Sequence, residues 1–300
     1  MTLSFQNFIS SIQEVYLDDK LLGLLCEEKK KEAMENEKFI QAFTFLYDVR
    51  GKQYNGFYVC PREIENKKLP VILFNRGGTG MFGVVKQGAF FIGTIASFVR
   101  SGYIVIGSQC MGFSENGALD EMGGEDFYSV LALKQLIDAD EFADQSRIGL
   151  YGISRGGMTT YRLLAETDWA KAAVVVSGVT DMIADAKFRP ELAEHYKKVF
   201  GGSENEMKKR SVMYWSEKLP KSVPILIMHG SADWRVDPRL SLRLSEKMMD
   251  FGIPHRLVIF EGNDHHLSES AAEVSKMELN WMDRFVKQGG ILPVLEKHGK

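Results

Sequence analysis

The run Arg-Ile-Gly-Leu-Tyr-Gly-Ile-Ser-Arg-Gly-Gly at 147–157 constrains this chain more than any other stretch. Ile148, Leu150 and Tyr151 read as the end of a buried strand, and Met158 to Glu166 as the helix that follows. Between them lies the turn Gly152-Ile153-Ser154-Arg155-Gly156, a Gly-x-Ser-x-Gly pattern. A strand that turns abruptly into a helix holds its central serine in a strained conformation. Side chains at 152 and 156 would collide with neighbouring backbone. Gly157 removes a third side chain and lets the helix lie close to the strand. The pattern therefore expects the Ser154 hydroxyl at the tip of the turn, near the positive end of a helix. Without the flanking strand and helix, the same five residues are an ordinary glycine-rich turn.

Taken in order, residues 4–38 look helical. Phe5, Phe8, Ile9, Ile12, Val15 and Tyr16 recur at three- and four-residue steps, and a mixed-charge stretch follows from Glu27 to Lys38. This expects a helical extension over 1–38 ahead of a catalytic domain over 39–300. Phe39 to Tyr47 and Tyr54 to Cys60 read as strands flanking a hairpin turn at Arg50-Gly51. Leu69 to Asn75 is a short apolar run, as in a strand buried on both faces, and it ends in Asn-Arg-Gly-Gly-Thr-Gly at 75–80. From there strands and helices alternate: helix 87–100, strand 103–108, helix 126–138, the serine turn, then strand 172–177. The later elements are strand 224–228, helix 238–251, strand 256–260 and helix 270–288. Such alternation implies a mostly parallel sheet covered on both faces, with the early hairpin adding antiparallel strands. The expected class is α/β, in an α/β-hydrolase fold. Residues 181–215 break the rhythm with helical, charged segments, a helical excursion placed where a cap over a site could be inserted.

Composition narrows the function classes. A net charge of −3 argues against a nucleic-acid surface, and no apolar run approaches the length of a membrane span. The first residues lack the basic start and apolar core of a signal peptide. Cys26, Cys60 and Cys110 are odd in number and far apart, which argues against a disulfide framework. The expectation is a cytoplasmic protein, with no nucleic-acid or membrane partner and with homo-oligomerisation open.

Acyl transfer by a serine needs a base for the hydroxyl proton, a carboxylate to orient that base, and donors for the developing oxyanion. In the expected fold these follow in the order Ser, Asp or Glu, His, in loops after successive strands. Asp233 follows strand 224–228, and the histidine pair 265–266 follows strand 256–260. Asp181, after the strand that succeeds the serine turn, is an alternative acid; Asp237 reads as a helix N-cap. His229, ending a strand before Gly230, reads as structural. Asp264-His265-His266 lacks the spaced partners of a zinc site, so neither metal nor organic cofactor is expected. The glycine cluster after strand 69–75 is where backbone amides could hold an oxyanion, and no Walker lysine follows it.

Several segments also carry a resemblance. Leu-Pro-Val-Ile-Leu-Phe-Asn-Arg-Gly-Gly (69–78), Asp-Glu-Met-Gly-Gly-Glu-Asp (120–126) and Tyr-Gly-Ile-Ser-Arg-Gly-Gly-Met (151–158) resemble the catalytic domain of prolyl oligopeptidase-family serine hydrolases. So do Pro-Ile-Leu-Ile-Met-His-Gly-Ser-Ala-Asp-Trp-Arg-Val (224–236) and Phe-Glu-Gly-Asn-Asp-His (260–265). The resemblance implies a triad of Ser154, Asp233 and His265, with His265 taken over His266. Where some members of that family carry tyrosine before the glycine pair, this chain has Arg76. The implied oxyanion hole is then built from amides of Arg155 and of Gly77 or Gly78, with Arg76 expected at the pocket rim against substrate or an acidic loop residue. The chain also leaves no room for the β-propeller of large members. The implied activity is hydrolysis of a peptide, aminoacyl or ester bond in a small or short-peptide substrate. A carboxylesterase without peptidase activity and a catalytically silent binding protein are the alternatives.

Overall fold

The computed structural model describes residues 9–65, 67–114 and 117–299. The chain divides between Ile148 and Gly149 into two units. The first contains β1 (Ser11–Val15), α1 (Asp19–Gly23), α2 (Glu27–Glu37), β2 (Ile40–Val49), β3 (Lys52–Pro61) and β4 (Leu69–Asn75). It continues through α3 (Gly93–Arg100), β5 (Ile104–Ser108) and α4 (Asp126–Ala139). Strand β6 (Ala143–Ile153) begins in this unit and ends in the next.

Strands of the first unit lie in the order β1-β2-β3-β5-β4. The first three pairings are antiparallel and β4 pairs parallel with β5. Arg50 and Gly51 both take positive φ, the two-residue hairpin geometry whose twist matches that of the flanking strands. Two buried tyrosines fasten helix to sheet. Tyr47 on β2 donates to Ser108 Oγ and lies 3.0 Å from the Ser129 carbonyl of α4, while Tyr58 on β3 donates to Asp140 at 2.7 Å.

The expected helix over 4–38 is corrected. Residues 1–8 lie outside the described residues, α1 and α2 are helical, and Ser11–Val15 is a strand paired with Leu46 to Ala42 of β2. The reason is tertiary. β2 is ten residues long, and its outer edge carries unpaired backbone donors and acceptors that an extended partner satisfies. A second break falls at Ile92, where extended backbone splits the expected helix 87–100 into a 3-10 turn at Gln87–Phe91 and α3.

The second unit holds α5 (Arg155–Glu166), β7 (Ala170–Val176), α6 (Met182–Phe188), α7 (Glu191–Phe200), α8 (Glu204–Arg210), β8 (Ile225–Gly230), α9 (Pro238–Asp250), β9 (His255–Phe260) and α10 (Ala271–Met282). Its strand order is β6-β7-β8-β9, with β7, β8 and β9 parallel. β8 is buried along its whole length and β7 along all but Lys171, as expected of strands covered on both faces. With parallel strands joined through helices and an antiparallel N-terminal stretch, the architecture is that of an α/β-hydrolase.

Beneath β6, Tyr151 donates at 3.1 Å to Glu278 of α10, a carboxyl that burial pushes up to about 8. The folded state thus binds this proton more tightly than the unfolded chain, whose glutamate ionises near 4.5. Its stabilising contribution is fully present below the unfolded value and is lost as pH rises through about 8, on the order of a few kcal/mol. Glu278→Gln cannot ionise. It should lose less stability than wild type between about pH 5 and about pH 9 in urea unfolding; equal losses in both proteins would show that Glu278 does not supply the slope.

Candidate active site

Ser154 sits between β6 and α5 at φ 57°, ψ −123°, a region that side-chain-bearing residues occupy at a cost of about 1–3 kcal/mol. The turn is held by its surroundings. Ser154 N–H donates to Val176 O at 2.8 Å, and its carbonyl accepts from Gly157 N–H (2.9 Å) and Val179 N–H (3.1 Å). A Cβ at residue 152 would meet the Gly156 carbonyl and the Thr160 hydroxyl, and one at 157 would meet the Cα of Gly178. These glycines are steric requirements of the turn. Arg155, buried, follows the serine and opens α5, so its amide lies at the N-terminal end of that helix.

The same edge of the sheet carries the other two predicted residues. Past the strand ends, backbone bonds continue from Ser154 N to Val176 O, from Ser177 N to Met228 O, and from Ser231 N to Phe260 O, each 2.8 Å. The loops after β8 and β9 therefore leave the sheet at the same edge as the serine turn. Gly230 lets them touch, since a Cβ there would strike the carbonyls of Asn263 and Asp264. Ala232 N–H donates to Asn263 O at 3.0 Å across the junction.

Asp233 and His265 meet inside this junction. His265 Nδ1 lies 2.7 Å from Asp233 Oδ2, and both side chains are buried. Oδ1 accepts the Arg235 and Val236 amides at 2.7 and 3.1 Å. Burial alone would raise this carboxyl, but hydrogen bonds from His229 and His265 and a backbone amide hold it well below the usual range. It is an anion at neutral pH. His266 does not reach Asp233. Its amide donates to Asp264, and its exposed ring lies edge-on to that of His265 with centroids 5.2 Å apart. Partial desolvation, then the neighbouring His265 and Arg235, lower its proton affinity. Asp181, the alternative acid, caps α6 by accepting the amides of Ile183 and Ala184, and Asp237 caps α9.

His229 is more than a strand residue. Wholly buried on β8, it places Nε2 3.0 Å from Asp233 Oδ2 and 3.1 Å from Val236 O. A sequence signal existed: a histidine at the end of the apolar run Ile-Leu-Ile-Met must find polar partners, and an aspartate stands four residues on.

The excursion at 181–215 folds as α6, α7, α8 and a 3-10 turn, and it is fastened to the Asp233 loop. Arg189 Nη1 lies 3.4 Å from Arg235 O, with its guanidinium 5.2 Å from the Trp234 ring. Met182 N–H donates to Ser211 within the excursion, and Met213 N–H ties it to Thr180 O. Buried Asp185 of α6 accepts from Tyr196 at 3.1 Å; burial pushes its carboxyl up to about 7, and Asp233 is among the charges that add to the shift.

In the first unit, the sequence-based role of Arg76 is corrected. It does meet an acidic loop residue, Asp120, at 2.8 Å, but with side chains 0% and 2% exposed the pair offers substrate no surface. Its five N–H groups go to Gln109 O, Gly77 O, Phe82 O, Gly80 O and Asp120 Oδ2. Gly80 N–H also donates to Asp120. Arg76 is thus the internal clasp of the 77–83 loop, whose Gly78 adopts φ 68° with no room for a Cβ against Phe82 backbone.

Residues 90–289 match the prolyl oligopeptidase family. The uncharacterized peptidase YtmA of Bacillus subtilis is 24% identical, over 75% of this chain and 86% of its own length. The uncharacterized peptidase YuxL of the same organism is 25% identical, over 94% of this chain but 45% of its own. Among solved structures, the acylaminoacyl peptidase of Pyrococcus horikoshii superposes with a TM-score of 0.73 at 22% identity, over 87% of this chain and 44% of that one. A puromycin-hydrolyzing peptidase of Mycobacterium tuberculosis gives 0.67 at 24%, over 79% and 38%. The chain spans less than half the length of these longer relatives. Among the described residues, no helix is long and apolar enough to cross a membrane.

A buried ion pair stripped of one partner leaves an uncompensated charge, at a cost of about 3–5 kcal/mol. Arg76→Ala should therefore lower unfolding stability by that order. A change in substrate preference at unchanged stability would restore the rim assignment.

Proposed function

The chain belongs to the prolyl oligopeptidase family, and from that premise we propose that it is a serine hydrolase cleaving a peptide, aminoacyl or ester bond in a small or short-peptide substrate through an acyl-enzyme. The observation that carries the reading is the 2.7 Å bond between His265 Nδ1 and Asp233 Oδ2, in loops leaving the sheet at the edge that bears the strained Ser154. A neutral imidazole whose Nδ1–H donates a hydrogen bond to a carboxylate keeps an unprotonated Nε2, the atom that takes the Ser154 proton as Oγ attacks the acyl carbon. The imidazolium so formed is stabilised by the Asp233 anion. It returns the proton to the leaving group, and water then repeats the sequence on the acyl-enzyme. Arg155 N–H is one donor to the oxyanion; the assignment of the Gly77 or Gly78 amide as the second rests on chain order and the family resemblance. The helical excursion, tied to the Asp233 loop, is the element that would shape the substrate's access.

Ser154→Ala should abolish labelling by a fluorophosphonate probe and cut kcat by on the order of 10⁴-fold or more. His265→Ala should fall to nearly the same level, since triad members act as one unit, while His266→Ala keeps most of kcat. A live Ser154→Ala enzyme, or a dead His266→Ala beside an active His265→Ala, would sink the assignment. Across p-nitrophenyl esters and Ala- and Pro-p-nitroanilides, turnover of the esters alone would narrow the activity to a carboxylesterase.

A further inference from the structure

His229 shares the carboxylate oxygen that holds His265, and acyl transfer by the three residues above makes no use of it. Val236 O and the Asp233 anion can only accept, so His229 Nε2 carries a hydrogen shared between them at 3.1 and 3.0 Å. At its other end, Nδ1 lies 2.8 Å from the hydroxyl of Ser241 on α9. The ring is thus fixed from both sides inside the fold. A carboxylate oxygen has two lone pairs, and those of Oδ2 meet two imidazoles while Oδ1 meets two backbone amides. Rotating the carboxylate would break all four bonds together.

We propose that His229 is a positioning residue for the Asp233–His265 pair, holding Oδ2 on His265 and drawing part of the carboxylate's charge away from it. The inference rests on the serine hydrolase reading. It has two separable consequences. Without the His229 donor the carboxylate is less firmly aimed, so kcat falls. Its charge also acts more fully on His265, which favours the imidazolium and moves the acid limb of kcat/KM to higher pH. The charged and titratable groups around His265 are Asp233 and His229, Arg235 in the acid loop, Asp264 and His266 in its own loop, and Asp185 of α6, which senses Asp233.

The test compares His229→Leu with His229→Gln, whose amide can replace the Nε2 donor. Rates are expressed per site titrated with fluorophosphonate, so that loss of folded protein does not count. Asp185→Asn serves as the background for the pH profiles, because burial pushes the Asp185 carboxyl up to about 7 and its ionisation would add a second charge change to the profile. His229→Leu should lower kcat by about 10- to 100-fold with KM within about threefold, and should move the acid limb upward by about half a unit or more. His229→Gln should restore most of both. A normal kcat per titrated site with a superimposable profile would overturn the proposal, as would a change confined to KM. Should His229→Leu fail to fold, Ser241→Ala releases the far end of the same ring and is read identically: a displaced limb is expected, and an unmoved one refutes the role. Residual turnover in Ser154→Ala would sink the hydrolase reading itself. A dead Ser154→Ala beside unaltered His229 variants would sink only this inference.

Discussion

The Asp233 carboxylate is the point on which the second unit is built. An anion removed from water is tolerated only when protein donors replace its hydration, and here His229, His265 and the amides of Arg235 and Val236 do so. The donors come from β8, from the acid loop itself and from the loop after β9. Satisfying one charge therefore joins three pieces of chain. Gly230 makes the joint possible, because any side chain there would hold the β9 loop away from the acid loop.

The strain at Ser154 has the same logic in reverse. A left-handed backbone at a serine persists only where the surroundings over-determine it, and bonds from Val176, Gly157 and Val179 do so. The reward is a side chain presented at the end of the sheet on rigid elements, aimed by the strand before it and the helix after it. Arg76 and Asp120 show a third version in the first unit. There a buried cation gathers the carbonyls of a glycine-rich loop that has no regular secondary structure to satisfy them.

The excursion of α6 to α8 is coupled to this machinery through side chains. Arg189 reaches the backbone of the acid loop and the face of Trp234, which remains 62% exposed beside a buried catalytic candidate. Asp185, below it, is a carboxyl that burial brings into the neutral range. The excursion is also anchored away from the acid loop, through Met213, whose N–H donates to Thr180 O and whose carbonyl accepts from Lys247.

What the sequence determined by itself was whatever depends on local sterics and periodicity. The strand Leu69–Asn75, the helix from Asp126, the glycines of the serine turn and the N-cap role of Asp237 all follow from residues adjacent in the chain. So does the order Ser154, Asp233, His265, since each stands just past a legible strand. Tertiary structure decided the rest, because the deciding partner was remote. Ser11–Val15 has a helical spacing yet becomes a strand, because the open edge of β2 offers hydrogen bonds that a short isolated helix cannot match. Arg76 stands beside the expected oxyanion glycines, but its charge is spent on Asp120, forty-four residues away in the chain. His229 has the composition of a strand residue. Only the fold, by turning the acid loop back over β8, brings its Nε2 onto the oxygen that also binds His265.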